Sequence, residues 1–288
     1  MDAQRIPAQF HAGLITVQTR TPDGEPLVFD VDSGGTMILF RRTVARLGLA
    51  AREQEAEWGG KVSVVDLTFD AGTRVPPPTM SFMVQDELSW MQGDGMLGQQ
   101  WHADRVWTYD YRLGRLWVGD AVGQGPRRLG HSICLGLPPL TEAGRRPHAF
   151  ATVEACIAGR VLVFLFDTGA RVALTSAASA RMEGGGPTLR ATCFVGESLL
   201  REWQTRHPDW LCVQAGDAIR GGSLIRVPLV EMAGHQVGPV WFTGRPDANF
   251  EAWTFLDRPV CGALGGELLR QFTSVIADYR NGWLSLVR

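Results

Sequence analysis

The sequence predicts a mostly β protein of two lobes related by a pseudo-twofold axis, and three observations carry that prediction. The 34 glycines and 16 prolines lie between short apolar runs, the pattern of many strands joined by turns. One block of sequence recurs in each half, and a second block recurs behind it in the same order. Self-similarity in fixed order marks a repeated structural unit.

The first block is LITVQTRTPDGEPLVFDVDSGGTMILF, residues 14 to 40, matched by ATVEACIAGRVLVFLFDTGARVALTS, residues 151 to 176. Each reads as strand, turn, strand, then an acidic residue, a hydroxyl residue and Gly. Pro22-Asp23-Gly24 and Ala158-Gly159 supply the turns, and β-branched and aromatic residues flank them. The second block, residues 95 to 118 and 262 to 287, reads apolar-Leu-Gly, a short helical stretch, a strand ending in Asp-Tyr-Arg, a turn and a last strand. Its turns, Arg112-Leu113-Gly114-Arg115 and Arg280-Asn281-Gly282-Trp283, suit tight hairpins. The repeat predicts an N-terminal lobe over residues 1–122, a Gly/Pro/Arg-rich linker over 123–147 and a C-terminal lobe over 148–288. The second lobe is the longer, with its extra residues expected within Gly184 to Trp210 and Val237 to Pro259, on loops at the rim.

Composition narrows the class. The 288 residues are 45% hydrophobic and 20% charged with a net charge of −2, enough chain to bury a core and no positive field to draw in nucleic acid or anionic lipid. No apolar stretch approaches the length that spans a bilayer. The start, MDAQRIPAQFHAG, lacks a signal peptide's basic and apolar regions. That places the chain in the cytoplasm as written, or outside it or in the periplasm if a leader has been removed. Five cysteines without a C-x-x-C pair, and six scattered histidines, predict neither a redox nor a metal site.

The chemistry-bearing residues are Asp32-Ser33-Gly34 and Asp167-Thr168-Gly169. Alone, either triplet is an ordinary turn. Here each follows a strongly apolar strand, Leu27 to Val31 or Val161 to Phe166, and each is followed at a distance by apolar-Leu-Gly, Met96-Leu97-Gly98 or Ala263-Leu264-Gly265. With those four elements the chain resembles the pepsin/retropepsin clan of aspartic peptidases, in a single-chain, bacterial-type form with two retropepsin-like lobes. The resemblance implies the bilobal acid-protease fold and an endopeptidase that hydrolyses peptide bonds with a water held between Asp32 and Asp167. It implies that Ser33 and Thr168 bond across to the opposite loop, and that Gly34 and Gly169 permit close approach. No cofactor or metal is implied, and the partner is a peptide or protein substrate bound by a monomer. The alternative is a catalytically inactive peptide-binding protein that kept the fold.

Two departures from the pepsin pattern matter. Gly35 and Ala170 stand where a hydroxyl residue follows the motif glycine. A missing donor stabilises the ionised pair less, so the activity optimum is expected closer to neutral than pepsin's. Trp58, Gly59 and Gly60 follow Asp32 at about the distance of a retropepsin flap, a mobile hairpin that closes over substrate. Phe194-Val195-Gly196-Glu197 is the second-lobe candidate. Trp203 and Trp210 fit either a hydrophobic subsite or the core. Gly93-Asp94-Gly95-Met96-Leu97-Gly98 matches a dinucleotide fingerprint, but no buried strand is expected before it, so it reads as a by-product of the repeat.

Overall fold

Strand Leu14–Arg20 alternates buried and exposed side chains, and strand Pro26–Val31 buries nearly all of its length as it runs under its neighbours. Together they start the first lobe of a computed structural model that describes residues 3–55, 60–88, 90–91, 93–119, 131–182 and 186–288. Pro26–Val31 pairs antiparallel with Leu14–Arg20 and parallel with Gly95–Leu97. Gly95–Leu97 is flanked on its other side by Ile38–Phe40, which runs parallel to Phe82–Gln85. The hairpin Arg52–Glu55 with Lys61–Val65 forms one edge of this eight-stranded sheet, and Ala8–His11, paired with Leu14–Arg20, forms the other.

The second lobe repeats the arrangement. Arg160–Phe166 pairs antiparallel with Thr152–Ile157 and parallel with Gly262–Leu264. Gly262–Leu264 lies beside Cys193–Gly196, which runs parallel to Val240–Arg245. Cys212–Val213 and Leu224–Val227 form the matching hairpin. The apolar-Leu-Gly motif has a steric origin in both lobes. A Cβ at Gly98 would sit 2.2 Å from the carbonyl carbon of Thr36, and one at Gly265 would sit 2.2 Å from the carbonyl oxygen of Thr192. Backbone crosses backbone there, and only glycine leaves room. The fingerprint-like glycines from Gly93 to Gly98 belong to this crossing.

A third, six-stranded sheet draws on both lobes: Gln4–Ile6, Arg115–Val118, Val106–Asp110, Ser274–Asp278, Trp283–Val287 and Ser132–Cys134, in that order. Its two halves meet where Val106–Asp110 pairs antiparallel with Ser274–Asp278, the two Asp-Tyr-Arg strands of the repeat. The pseudo-twofold axis runs through this pair. Strand Ser132–Cys134 lies inside the stretch read as linker and pairs with Trp283–Val287. One hydrophobic core continues beneath both lobes, from Phe29 and Phe82 through Trp101, Trp107 and Tyr109 to Phe166 and Phe242. The fold is thus mostly β and bilobal, of the pepsin-like acid-protease type.

Most of the second lobe's extra residues sit earlier than expected, although the connection from Val240–Arg245 to Gly262–Leu264, longer than that from Phe82–Gln85 to Gly95–Leu97, falls largely within the expected Val237 to Pro259. The equivalent of Ile38–Phe40 is Cys193–Gly196, and the main addition falls directly after Asp167: strand Arg171–Ala173, helix Ser176–Arg181 and strand Leu189–Ala191. Helix Glu197–Arg206, expected within an insertion, is the longer counterpart of helix Arg41–Arg46. Among the described residues no helix is long and apolar enough to cross a membrane, and all five cysteines are free thiols.

Candidate functional site

Each aspartate leaves its strand at the sheet's parallel pair. The amide of Asp32 donates to Leu97 O at 3.0 Å and that of Asp167 to Leu264 O at 3.0 Å, so the apolar-Leu-Gly strand anchors each loop. The loops then lock crosswise. Ser33 Oγ donates to Phe166 O (2.9 Å) and Thr168 Oγ1 to Val31 O (3.1 Å), while Ser33 N donates to Thr168 Oγ1 (3.1 Å) and Thr168 N to Ser33 Oγ (3.0 Å). Both hydroxyl residues are fully buried. Each such bond contributes about 0.5–1.5 kcal/mol, and leaving one partner unmade costs more.

The motif glycines complete the lock. A Cβ on Gly34 would fall 2.4 Å from Cγ of Asp167, and one on Gly169 would fall 2.1 Å from Cγ of Asp32. Each glycine therefore lies against the opposite carboxyl, and the two acids meet on the axis. Burial holds the Asp167 carboxyl well above the usual carboxylate range, and the charge of Asp32 and a hydrogen bond that protonated Asp167 donates to it push the same way. The Gly169 amide, donating to Asp167 Oδ1 at 2.9 Å, opposes the shift. Like charges this close do not both ionise cheaply, so the pair shares a proton and offers a donor beside an acceptor. Such a pair can hold a water or grip a peptide carbonyl.

A cleft of roughly 400 Å³ opens above the acids, within the range of sites that enclose a few side chains. Its walls include Trp90, Leu165, Phe194, Phe250 and Trp253. Sequence reasoning missed its charged residues. Arg171 Nη1 lies 3.2 Å from Asp30 Oδ1, with both side chains more than nine-tenths buried, in an ion pair that crosses between the lobes. Arg171 Nε also donates to Gly169 O at 3.1 Å, and its guanidinium lies over Trp90 at 5.4 Å. Burial raises the Asp30 carboxyl, and Arg171 offsets part of that rise. Arg245 pairs with Asp217 at 2.7 Å, again buried, and covers the Phe194 ring at 4.4 Å. Asp30 and Leu165 hold equivalent places two residues before the motif aspartates. That mismatch was the available signal; the partner on the other lobe was invisible without the fold.

Of the flap residues, Trp58 and Gly59 lie outside the described residues. Gly60 is exposed, with φ +82°, at the foot of the hairpin whose strands pair Glu55 with Lys61. The second-lobe candidate is corrected. Phe194 to Gly196 form a central strand and Glu197 starts a helix, because their apolar run is claimed by the sheet. The turn linking Cys212–Val213 to Leu224–Val227 takes the flap-equivalent place, and Ile219 and Arg220 on it reach the cleft. Trp203 is buried against Phe242 in the core, and Trp210 packs on His207; neither lines the cleft. Among the described residues no three His, Cys, Asp or Glu side chains converge on a point that could hold a metal ion.

No family model matches the chain, and no curated protein matches it. Solved structures that resemble it include conglutin gamma, a basic 7S globulin from lupine seeds, at 10% identity and TM-score 0.47 over 99% of this chain and 95% of that one. Basic 7S globulin from soybean is similar at 9% identity and TM-score 0.44 over 100% and 95%. Edgp is similar at 12% and 0.47 over 99% and 94%. The expected membership of the pepsin/retropepsin clan of peptidases, and the expected endopeptidase activity, are corrected accordingly: the chain resembles basic 7S globulins and matches no peptidase family or curated peptidase. The expected near-neutral activity optimum falls with them. The physical reason lies in the motif itself. Ser33, Thr168, Gly34 and Gly169 clasp the two lobes together, so the fold retains them whether or not turnover follows.

Proposed function

We propose that this protein binds an extended peptide or protein segment in the interlobe cleft, over Asp32 and Asp167, and releases it intact. The observation that carries the reading is a proton-sharing acid pair, rigidly held, at the floor of a cleft with aromatic and aliphatic walls. An extended chain presents carbonyls and amides to such a pair, and its side chains pack on the walls. One chain supplies both halves of the cleft, so binding needs no second copy.

Retention without hydrolysis is supported by the surroundings of the acids. Ser33 and Thr168 spend their hydroxyls on backbone carbonyls across the lobe boundary, and Gly35 and Ala170 carry none. The Gly169 amide is the donor that favours ionised Asp167. A pair so poorly supplied with donors holds its proton and acts as a hydrogen-bonding clamp. The test is retention of peptides from a digested, denatured protein on the immobilised chain, followed by mass spectrometry of what elutes. Apolar peptides should be retained whole, and Trp253→Ala should weaken retention by about tenfold, the cost of losing one well-packed aromatic contact. Absence of retention, or cleavage that Asp32→Asn abolishes, would overturn the reading.

A further inference from the structure

The turn between Cys212–Val213 and Leu224–Val227 brings two guanidinium groups to one wall of the cleft. It is a built element. Asp217 N donates to Gly222 O (3.0 Å), Gly221 N to Asp217 O (2.9 Å), and Ala218 N to Ala173 O (2.7 Å). The last bond pins the turn to the strand that follows Asp167. The Asp217 carboxylate is fully used: Oδ1 accepts from Ile219 N at 3.0 Å and Oδ2 from Arg245 Nη1 at 2.7 Å. It is 2% exposed, and its charge is paired with that of Arg245. Arg245, held by Asp217, by Gly244 O and by the ring of Phe194, is fixed in one orientation.

Arg220 differs from the other lining cations. Arg171 is spent on Asp30 and Gly169 O, and Arg245 on Asp217. Arg220 is exposed, is in no ion pair among the described residues, and stands close enough to Arg245 for the two charges to repel. With Asp30 cancelling Arg171 and Asp217 cancelling Arg245, the wall keeps one uncompensated positive charge at Arg220. The floor keeps the single negative charge shared by Asp32 and Asp167. The same cleft is lined by Ile219, the neighbour of Arg220 in sequence and 46% exposed, and by the rings of Phe250 and Trp253. A carboxylate placed at this wall relieves the Arg220–Arg245 repulsion and finds a planar fork of donors, which suits carboxylate geometry better than an ammonium would.

We infer that the cleft reads a carboxylate on its bound peptide at the Arg220–Arg245 wall, next to an apolar side chain packed on Phe250 and Trp253. The inference rests on the peptide-binding reading above and names what that site selects. A peptide carries carboxylates of two kinds, an Asp or Glu side chain and a free C-terminus, and the same wall accepts either.

The experiment uses the full chain at pH 7 and low salt, with calorimetric binding of short peptides rich in Leu and Phe. One arm moves a single Glu along a capped peptide, each against its Gln counterpart. The other compares a free with an amidated C-terminus. In one arm the carboxylate should raise affinity about tenfold, the scale of one charge-assisted hydrogen bond, and added salt should reduce the gain. Arg220→Gln, at an exposed position, should abolish the difference while thermal unfolding stays unchanged, and Arg220→Glu should shift preference to a Lys peptide. Equal binding of every matched pair would overturn the inference and leave the peptide reading standing. A preference that survives Arg220→Gln would overturn it too, by placing the carboxylate elsewhere. Failure of every peptide to bind would remove the peptide reading, and the inference with it.

Discussion

Asp167 sits in an environment far from that of a free side chain. Burial, then the neighbouring charge of Asp32, raises its carboxyl well above the ordinary carboxyl value of 3.8. The folded state therefore keeps a proton that the unfolded chain releases. Stability from this group is full below the ordinary carboxyl range and is lost as pH rises from about 4 toward the raised folded value. Asp167→Asn removes the rising cost of keeping that proton, so its stability relative to the native chain should increase between about pH 4 and pH 7. Urea unfolding at several pH values checks this, and a constant difference would sink the claim. Asp30 and Glu267, both raised chiefly by burial, slope the same way and remain in the variant.

At the level of elements, the site depends on how two loops and one added segment meet. Strand Arg171–Ala173 begins the addition that follows Asp167, and its first residue reaches across to Asp30 on the other lobe. Removing one member of a buried pair strands the other, at about 3–5 kcal/mol, whereas replacing both with apolar groups is often neutral. Arg171→Ala should therefore lower unfolding free energy by about that amount. The double variant Asp30→Leu/Arg171→Met should recover most of the loss; Leu is what the second lobe carries at the equivalent place, Leu165. A double variant no more stable than Arg171→Ala would contradict an ion-pair origin. The motif triplets and the apolar-Leu-Gly strands were legible because both copies lie within short windows. The Asp30–Arg171 and Asp217–Arg245 pairs were not, because each joins residues from separate elements and pairing leaves no local pattern. The second flap was misplaced for a related reason: Phe194-Val195-Gly196 has a turn's glycine, but a neighbouring strand on each side turns it into sheet interior.

For the whole molecule, the six-stranded sheet and the continuous core tie the lobes into one cooperative unit. Strand Val106–Asp110 finds its partner in Ser274–Asp278, and residues 1–122 alone would leave that edge unpaired, an invitation to aggregate. Calorimetry should show a single unfolding transition with equal calorimetric and van't Hoff enthalpies. Two resolved transitions would mean that the lobes fold separately.

The repeat, the strand-rich class and the identity of the paired acids follow from the order of residues along the chain, since each rests on a local signal present twice. The location of the added segment, the buried ion pairs and the cationic wall opposite the acids emerged when the lobes closed on one another. Their partners are far apart in sequence, and burial, which gives those charges their energetic weight, exists only in the assembled fold.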